Sequence, residues 1–419
     1  MESNTVHPDF ERRMKLLHDS IKCNRVDNIM VAPFYTYLPI TLYGDVTIKD
    51  TIADWRNAIP SYIKYHEEYQ PDLAYGPEAI FPGPAMEALD CQFVRWPGKH
   101  FDNPNMGFQV LDREDGYMAA EEYLEYAEDP TGFIMKKVLP RHWGRLKGLE
   151  MLDFSQAIWH GAMYSCLPAA APQVQEAFNA IVDCANAFGP LVGADAAFYQ
   201  TMAAKGFPSG ADLVTSAPFD IFNDTLRGFL NVSMDMYECP DELLAAVNAA
   251  TKIQVRYLKN CIKSRPIGII GFMLHNGYDM FMSKEQFETF YWPGLKACID
   301  VCIENGVTPW IYVEDSYMSK LDIIERDVPA HKCIMTFTGT NDMPKVKERF
   351  GGKYCFKGGV EGTLLQFGTP DDVKKAVKNA IDIYAPGGGF ILDCDVTVDI
   401  AKPENLRAFY DTARNYMKY

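Results

Sequence analysis

The chain has 419 residues, 48% of them apolar and 23% charged, with a formal net charge of −16. Such a composition supports a large folded core, and the acidic surplus argues against nucleic acid or an anionic membrane surface as an electrostatic partner. No run of about 18 apolar residues occurs, and the first ten residues lack the basic and apolar regions of a signal peptide, so the sequence reads as cytoplasmic with no membrane span.

Residues 1–25 read as an N-terminal helical extension, and 30–43 (MVAPFYTYLPITLY) as a first strand. Residues 71–107 are rich in proline, glycine and aromatics and read as irregular loops, a length of chain that usually carries function or covers a site. The second half alternates regularly. Short apolar strands are expected at 212–219, 267–274, 308–313, 333–338, 353–357 and 389–394, with amphipathic helices between them. Ser283 with Gln286 has the pattern of a capping box, and Gly306 closes the helix before 308–313. Thr369 followed by Pro370, Asp371 and Asp372 marks another helix start, and Val373, Ala376, Val377, Ala380, Ile381 and Tyr384 recur at helical spacing behind it.

Repeated strand–helix units imply a parallel sheet with right-handed crossovers. Six such units without a Gly-x-Gly-x-x-Gly turn fit a (β/α)8 TIM barrel, of α/β class, with an N-terminal extension and loop insertions. No repeat, low-complexity tract or linker divides the chain, so 1–419 reads as a single domain. The eleven cysteines are odd in number and scattered, which fits reduced thiols; Cys298 and Cys302, four apart in a helical segment, read as core.

Barrel chemistry sits at the carboxyl ends of the strands, and the polar residues gather there. Asp220, Asn223 and Asp224 follow the strand at 212–219, and His275 and Asn276 follow 267–274. Glu314 and Asp315 end 308–313, Cys355 and Lys357 lie in 353–357, and Asp393-Cys394-Asp395 ends the strand that the run Gly387-Gly388-Gly389 introduces. These residue types suit a zinc site with three protein ligands and one open position. Bland readings stand beside each. Cys355 fits a core position equally well, Glu314 a helix start, His275 a loop carbonyl, and Asp393 and Asp395 ion pairs. Convergence on one rim carries the metal reading. It makes Cys394 a ligand, with its neighbouring acids behind it.

The stretch Asp224-Thr225-Leu226-Arg227-Gly228 through Asp235, with Cys239-Pro240-Asp241-Glu242, resembles the uroporphyrinogen decarboxylase superfamily. So do Lys357-Gly358-Gly359-Val360-Glu361-Gly362, Gly368-Thr369-Pro370-Asp371-Asp372-Val373 and Pro403-Glu404-Asn405. The resemblance covers 200–419 well, and the start more loosely through Trp96-Pro97-Gly98 and Asp129-Pro130-Thr131-Gly132-Phe133. It implies a (β/α)8 barrel. Decarboxylases of the superfamily hold the substrate carboxylates with an arginine-rich amino-terminal motif, whereas residues 30–45 here contain no arginine.

The other branch contains zinc-dependent, corrinoid-linked methyltransferases. Thiol-specific members carry His-x-Cys at the fifth strand and a cysteine at the eighth. Cys394 matches the latter, but Tyr312-Val313-Glu314-Asp315 stands where His-x-Cys would be. An oxygen ligand makes zinc more electrophilic and suits an ether oxygen. The chain therefore resembles the methyltransferase I component of aryl methyl ether O-demethylases of the vanillate and veratrol type.

That resemblance implies Zn2+ held by Cys394, Cys355 and Glu314, with Asp327, in a helix-to-strand loop, ranked behind Glu314. Glu314, Asp315 and His275 are the candidate catalytic groups. Asn276 and Asp220 are the candidates to hold ring substituents, and Tyr312, Phe272, Phe222, Trp310, Tyr35 and Tyr37 to wall the ring. A methoxylated aromatic and a separate corrinoid protein are the implied partners, and a homodimer is compatible with it. A decarboxylase-type lyase, a methylcobamide:thiol methyltransferase and a non-catalytic tetrapyrrole binder are the alternatives.

Overall fold

The computed structural model describes residues 7–111, 113–155 and 157–416. Its strands are β1 (Met30–Val31), β2 (Val94–Arg95), β3 (Gln109–Val110), β4 (Leu213–Ser216), β5 (Ile269–Leu274), β6 (Thr308–Val313), β7 (Ile334–Phe337), β8 (Cys355–Val360) and β9 (Phe390–Cys394). β2 and β3 form a separate antiparallel pair; the other seven form one sheet in the order β1-β9-β8-β7-β6-β5-β4, parallel throughout.

The sheet closes through Asp72–Tyr75. On one side the amide of Asp72 donates to the carbonyl of Val31 at 2.8 Å, and the amide of Val31 donates to the Asp72 carboxylate at 2.8 Å. On the other, Ala74 donates to Pro208 at 2.7 Å and accepts from Gly210 at 2.9 Å. This segment is the missing stave of an eight-stave barrel. A side chain supplies one of the bonds that a longer strand would make with its backbone, and Arg13, buried beneath, holds that carboxylate.

The helix Pro8–Ile21 precedes β1, as the N-terminal extension predicts, and the expected strands of the second half are present. Two stretches differ. Of 30–43 only Met30–Val31 is strand, because Pro39 starts a helix over Leu38–Tyr43 that Gly44 ends in a left-handed conformation (φ 66°). β8 runs 355–360, where 353–357 is expected from the sequence, because Gly358 and Gly359 continue the ladder rather than leave it. Both capping boxes form, at Ser283 with Gln286 and at Thr369 with Asp372, and Val373, Val377, Ala380, Ile381 and Tyr384 are buried behind the second. In the turn before β9, Gly388 adopts φ 81°, and a side chain there would meet the Asn24 carbonyl at 2.4 Å.

One hydrophobic core runs through the barrel and its helices, and a small satellite core forms where Leu146, Leu149 and Leu152 pack on Val174, Ala177 and Ala180. Among the described residues no helix is long and apolar enough to cross a membrane.

Candidate active site

Strand pleating decides which rim side chains enter the barrel. Trp310 donates its indole N–H to Thr336 at 2.9 Å and lies 4.4 Å beneath the Lys357 ammonium, so these residues point inward. Lys357 pairs with Asp393, both almost fully buried, and the amide of Phe34 donates to the Asp393 carboxylate at 2.9 Å. Burial pulls each partner toward its neutral form: Lys357 down, Asp393 up.

With Asp393 inward, Cys394 points outward, into the layer between barrel and helices. There the Tyr65 phenol, on the helix Ile59–Tyr69, is raised by burial and by neighbours that include Cys394. The Cys394 thiol is itself pushed well up by burial and by Asp393 and Asp395.

Cys355 lies at the other end of the barrel. It opens β8, while Val360 at the end of that strand is the partner of Cys394. Five residues separate them, roughly 16 Å at about 3.3 Å per residue. Its thiol is raised by burial in the company of Cys23 and Cys333. Asp327 ends the helix Leu321–Asp327, accepts from the Trp292 indole at 2.7 Å and pairs with Arg326. The zinc set read from sequence is therefore not assembled. Glu314 is at the rim, but Cys394 faces away from it and Cys355 and Asp327 are elsewhere. Among the described residues no group of three or more His, Cys, Asp or Glu side chains is placed to hold a metal ion. The donor set does not fit a zinc centre.

What does converge is a network at the ends of β4, β5 and β6. Asp220, Asn223 and Asp224 stand at i, i+3 and i+4 on the helical turn after β4, which puts them on one side. His275 Nδ1 bonds Asp224 Oδ2 at 2.6 Å. Asn276, 4% exposed, donates to Asp220 at 3.1 Å and to Asp224 at 2.9 Å, and Asn223 donates to Asn276 at 2.8 Å and to Asp224 at 3.1 Å. Tyr291 donates to Asp220 at 2.9 Å, with the amide of Ala217 at 3.2 Å.

Burial, with the negative charge of Asp224 next to it, pushes the fully enclosed Asp220 carboxyl up to about 7. Burial also opposes ionisation of Asp224, but the His275 bond and the two amide donors outweigh it and its carboxyl is lowered. The Asp224 bond, seconded by the charges of Asp220 and Glu314, raises His275 to about 9. His275 is therefore an imidazolium at neutral pH, its side chain 42% exposed, with Nδ1 committed to Asp224. Glu314 is half-buried nearby, its carboxyl raised by burial against the pull of His275.

Below the network lies an aromatic cluster. The Phe34 ring is 5.1 Å from both Tyr75 and Trp310 and 6.2 Å from Tyr312. Of the rings expected to wall a substrate, Tyr312 and Trp310 belong here. Phe272 does not: a side chain on Gly271, the preceding strand residue, would face Trp310, so Phe272 faces the helices. Phe222 packs on Tyr123 and Tyr126, and Tyr35 bonds His66 at 3.1 Å within the outer layer.

Tyr37 is buried beside Gly107. Asp315 adopts a left-handed conformation (φ 59°), accepts from the amide of Ser316 at 2.7 Å, and its carbonyl accepts from Asn341 at 2.7 Å, so it shapes the loop. Asn276 and Asp220, expected to hold ring substituents, spend their polar atoms inside the network. Asn223 Oδ1, buried beside them, has no hydrogen-bond partner among the described residues. Asp224, Phe34 and Tyr291 are the site residues that sequence reasoning left unassigned; for Asp224 the i, i+4 spacing from Asp220 was the available signal.

A closed parallel α/β barrel with a histidine–carboxylate network at its carboxyl-end rim defines the class. Residues 213–416, just under half of the chain and running from β4 to its C-terminal helix, match the family described as uroporphyrinogen decarboxylase (URO-D). Among solved structures, a methyltransferase from Methanosarcina mazei superposes with a TM-score of 0.60 at 14% identity, covering 96% of this chain and 98% of that one, a likeness of fold. No curated protein matches.

Proposed function

We propose that the chain is a methyltransferase that moves the methyl group of an aryl methyl ether to the cobalt(I) of a corrinoid carried by a separate protein, whose electron pair forms the new bond, releasing a phenol. The observation that carries this reading is the His275–Asp224 pair, an exposed imidazolium at the rim of the barrel. The family match and the methyltransferase name of the M. mazei structure support it. The lack of arginine at residues 30–45, together with the internal pairing of Arg13 and Arg227, disfavours a polycarboxylate substrate for decarboxylation.

Aryl ethers lose their methyl group slowly because aryl oxide is a poor leaving group. Stabilising the charge that develops on the ether oxygen is the catalytic task. Nδ1 of His275 is held by Asp224, which leaves Nε2–H to donate to that oxygen. As the methyl carbon passes with its bond electrons left on oxygen, the Nε2 proton moves to the oxygen, yielding the phenol and neutral His275, which solvent reprotonates. Asp220, Asn276 and Tyr291 hold Asp224 in place and do not touch substrate. Tyr312 and Phe34, packed edge to face at 6.2 Å, form one aromatic surface for the ring to lie against.

The test supplies guaiacol or veratrol with a reduced corrinoid protein and follows cobalt absorbance together with phenol release. Turnover supports the reading. Absence of methyl transfer from any methoxyarene, with a folded protein and an active corrinoid partner, sinks it.

A further inference from the structure

The helical turn that carries Asn223 and Asp224 runs on, through Gly228 at φ 81°, into the helix Phe229–Glu238. Val232 and Met236 pack that helix onto the rest of the chain, and Asp235 is held inside by Arg227. Its outer side carries Leu230, Met234 and Tyr237 in steps of four and three, the first 72% and the last 76% exposed. An apolar stripe at that spacing ordinarily faces a core. This one faces solvent.

The stripe reaches the candidate active site. Phe229 packs on Phe281 at 4.8 Å and Phe281 on Tyr278 at 5.8 Å, in the loop that leaves β5 through His275. Met280, in the same loop, is 88% exposed. At roughly 200 Å² per aromatic side chain, Phe229 and Tyr237 alone leave about 230 Å² open. Leu230, Met234 and Met280 carry this lip past the few hundred Å² usual for an apolar patch on a monomer. A second lip stands opposite. β8 and β9 lie across the barrel from β4 and β5, and there Phe367, on the short helix after β8, and Val396, just past β9, are exposed.

We infer that the helix Phe229–Glu238 and the loop bearing Met280 are the docking surface for the corrinoid-carrying protein, which spans the mouth to Phe367 and Val396. The inference rests on the reaction proposed above. In that reaction a cobalt held by another protein has to come within bonding reach of a methyl group at His275, and His275 opens to solvent at the rim. A body large enough to carry a corrinoid cannot cover that rim without meeting the lips. The matching face of the partner is apolar beside its cofactor, with its charges at the border.

Two other occupants fit less well. Methoxyarene enters and phenol leaves through the same mouth, so whatever covers it must come off in each turnover. A second copy of this chain held permanently on the lips would close the site, whereas a carrier that docks and departs does so through a small contact. An anionic membrane surface would be repelled by Glu238 and Asp241, both exposed at the end of the helix.

The test uses the full chain with the reduced corrinoid protein and reads two quantities: the Kd of the two proteins by calorimetry, and methyl transfer from veratrol to the carrier and to free cob(I)alamin. Leu230→Glu/Tyr237→Glu replaces only exposed side chains and should keep the wild-type circular dichroism. It should raise the Kd, and the KM for the carrier, on the order of 30-fold or more, because it sets unpaired carboxylates into an apolar contact. Transfer to free cob(I)alamin, which needs no docking, should stay within about twofold. Met280→Glu, in the loop, should weaken the carrier in the same direction by about 10-fold. A wild type that does not bind the carrier overturns the inference, as does an affinity that neither variant moves. So does a variant that changes only the mass of the chain by itself in light scattering, which assigns the lips to a second copy. A chain that binds the carrier through these residues yet moves no methyl group leaves the docking surface standing and sinks the reaction instead.

Discussion

Two cation–carboxylate pairs occupy the same barrel and differ in nearly every property that matters for chemistry. Lys357–Asp393 is sealed, each side chain 1% exposed, with the Trp310 ring 4.4 Å from the ammonium. His275–Asp224 stands at the mouth with 42% and 29% of its side chains open to solvent, and a second carboxyl, Asp220, lies fully buried behind it. Burial drives the partners of the first pair toward neutrality, whereas the second holds its charge because Asp224 is fed by two amide donors. A sealed pair can hold strands β8 and β9 in register but has no route for a proton. The open pair can deliver one and be recharged from water.

That contrast is broken first by removing the sealed cation. Lys357→Met leaves Asp393 buried and unpaired and should cost about 3–5 kcal/mol of unfolding free energy, while Lys357→Met/Asp393→Leu should recover most of it. Denaturant titration measures both, and a single variant as stable as the wild type would show that the pair is not structural.

The second break concerns the open pair. His275→Gln should lower kcat/KM for methyl transfer by about 100-fold or more, and stability at neutral pH should fall with it because Asp224 loses its cationic partner. Because His275 is raised to about 9, the imidazolium is complete below its unfolded value near 6.5 and is lost as pH rises through about 9. Activity and this group's share of stability should fall across that alkaline window. Asp224→Asn removes the main cause of the shift and should bring the alkaline limb down toward 6.5, and a pH–rate profile that does not move would refute the assignment.

The smallest effect is expected at Cys394. Cys394→Ala should cost about 1–2 kcal/mol through lost packing and leave turnover within about twofold. Loss of turnover, accompanied by loss of bound zinc in elemental analysis, would restore a metal reading.

The barrel was legible because its strands are short, apolar and separated by helices with recognisable caps. Thr369-Pro370-Asp371-Asp372 alone located a helix start that forms a complete capping box. The direction of Cys394 was not legible, for the same reason that its strand was so easily found. β9 is buried on both faces, so its sequence shows no alternation from which inside and outside could be told. Only the Lys357 ion pair fixes Asp393 as the inward residue. Cys355 was misplaced because Gly358 and Gly359 read as the loop after a strand, which put the cysteine near the strand's end when it stands at its start. At the rim, Asp220, His275 and Asn276 were recognised as polar strand ends. Their division into buried support and exposed donor depends on three-dimensional contacts, above all on Tyr291 arriving from a distant helical turn.

The short stave Asp72–Tyr75 gives the barrel a seam. The pairs β4–β5, β5–β6, β6–β7 and β8–β9 are held by ladders of four to six residues, whereas this join rests on three backbone bonds and one carboxylate. Local opening begins where the fewest bonds must break together. The amides of Asp72, Ala74 and Gly210 should therefore exchange with solvent ahead of those in β5 and β6, and acid that protonates Asp72 should widen the gap. The cylinder is a fastened cuff rather than a ring, with its clasp on the side farthest from β7.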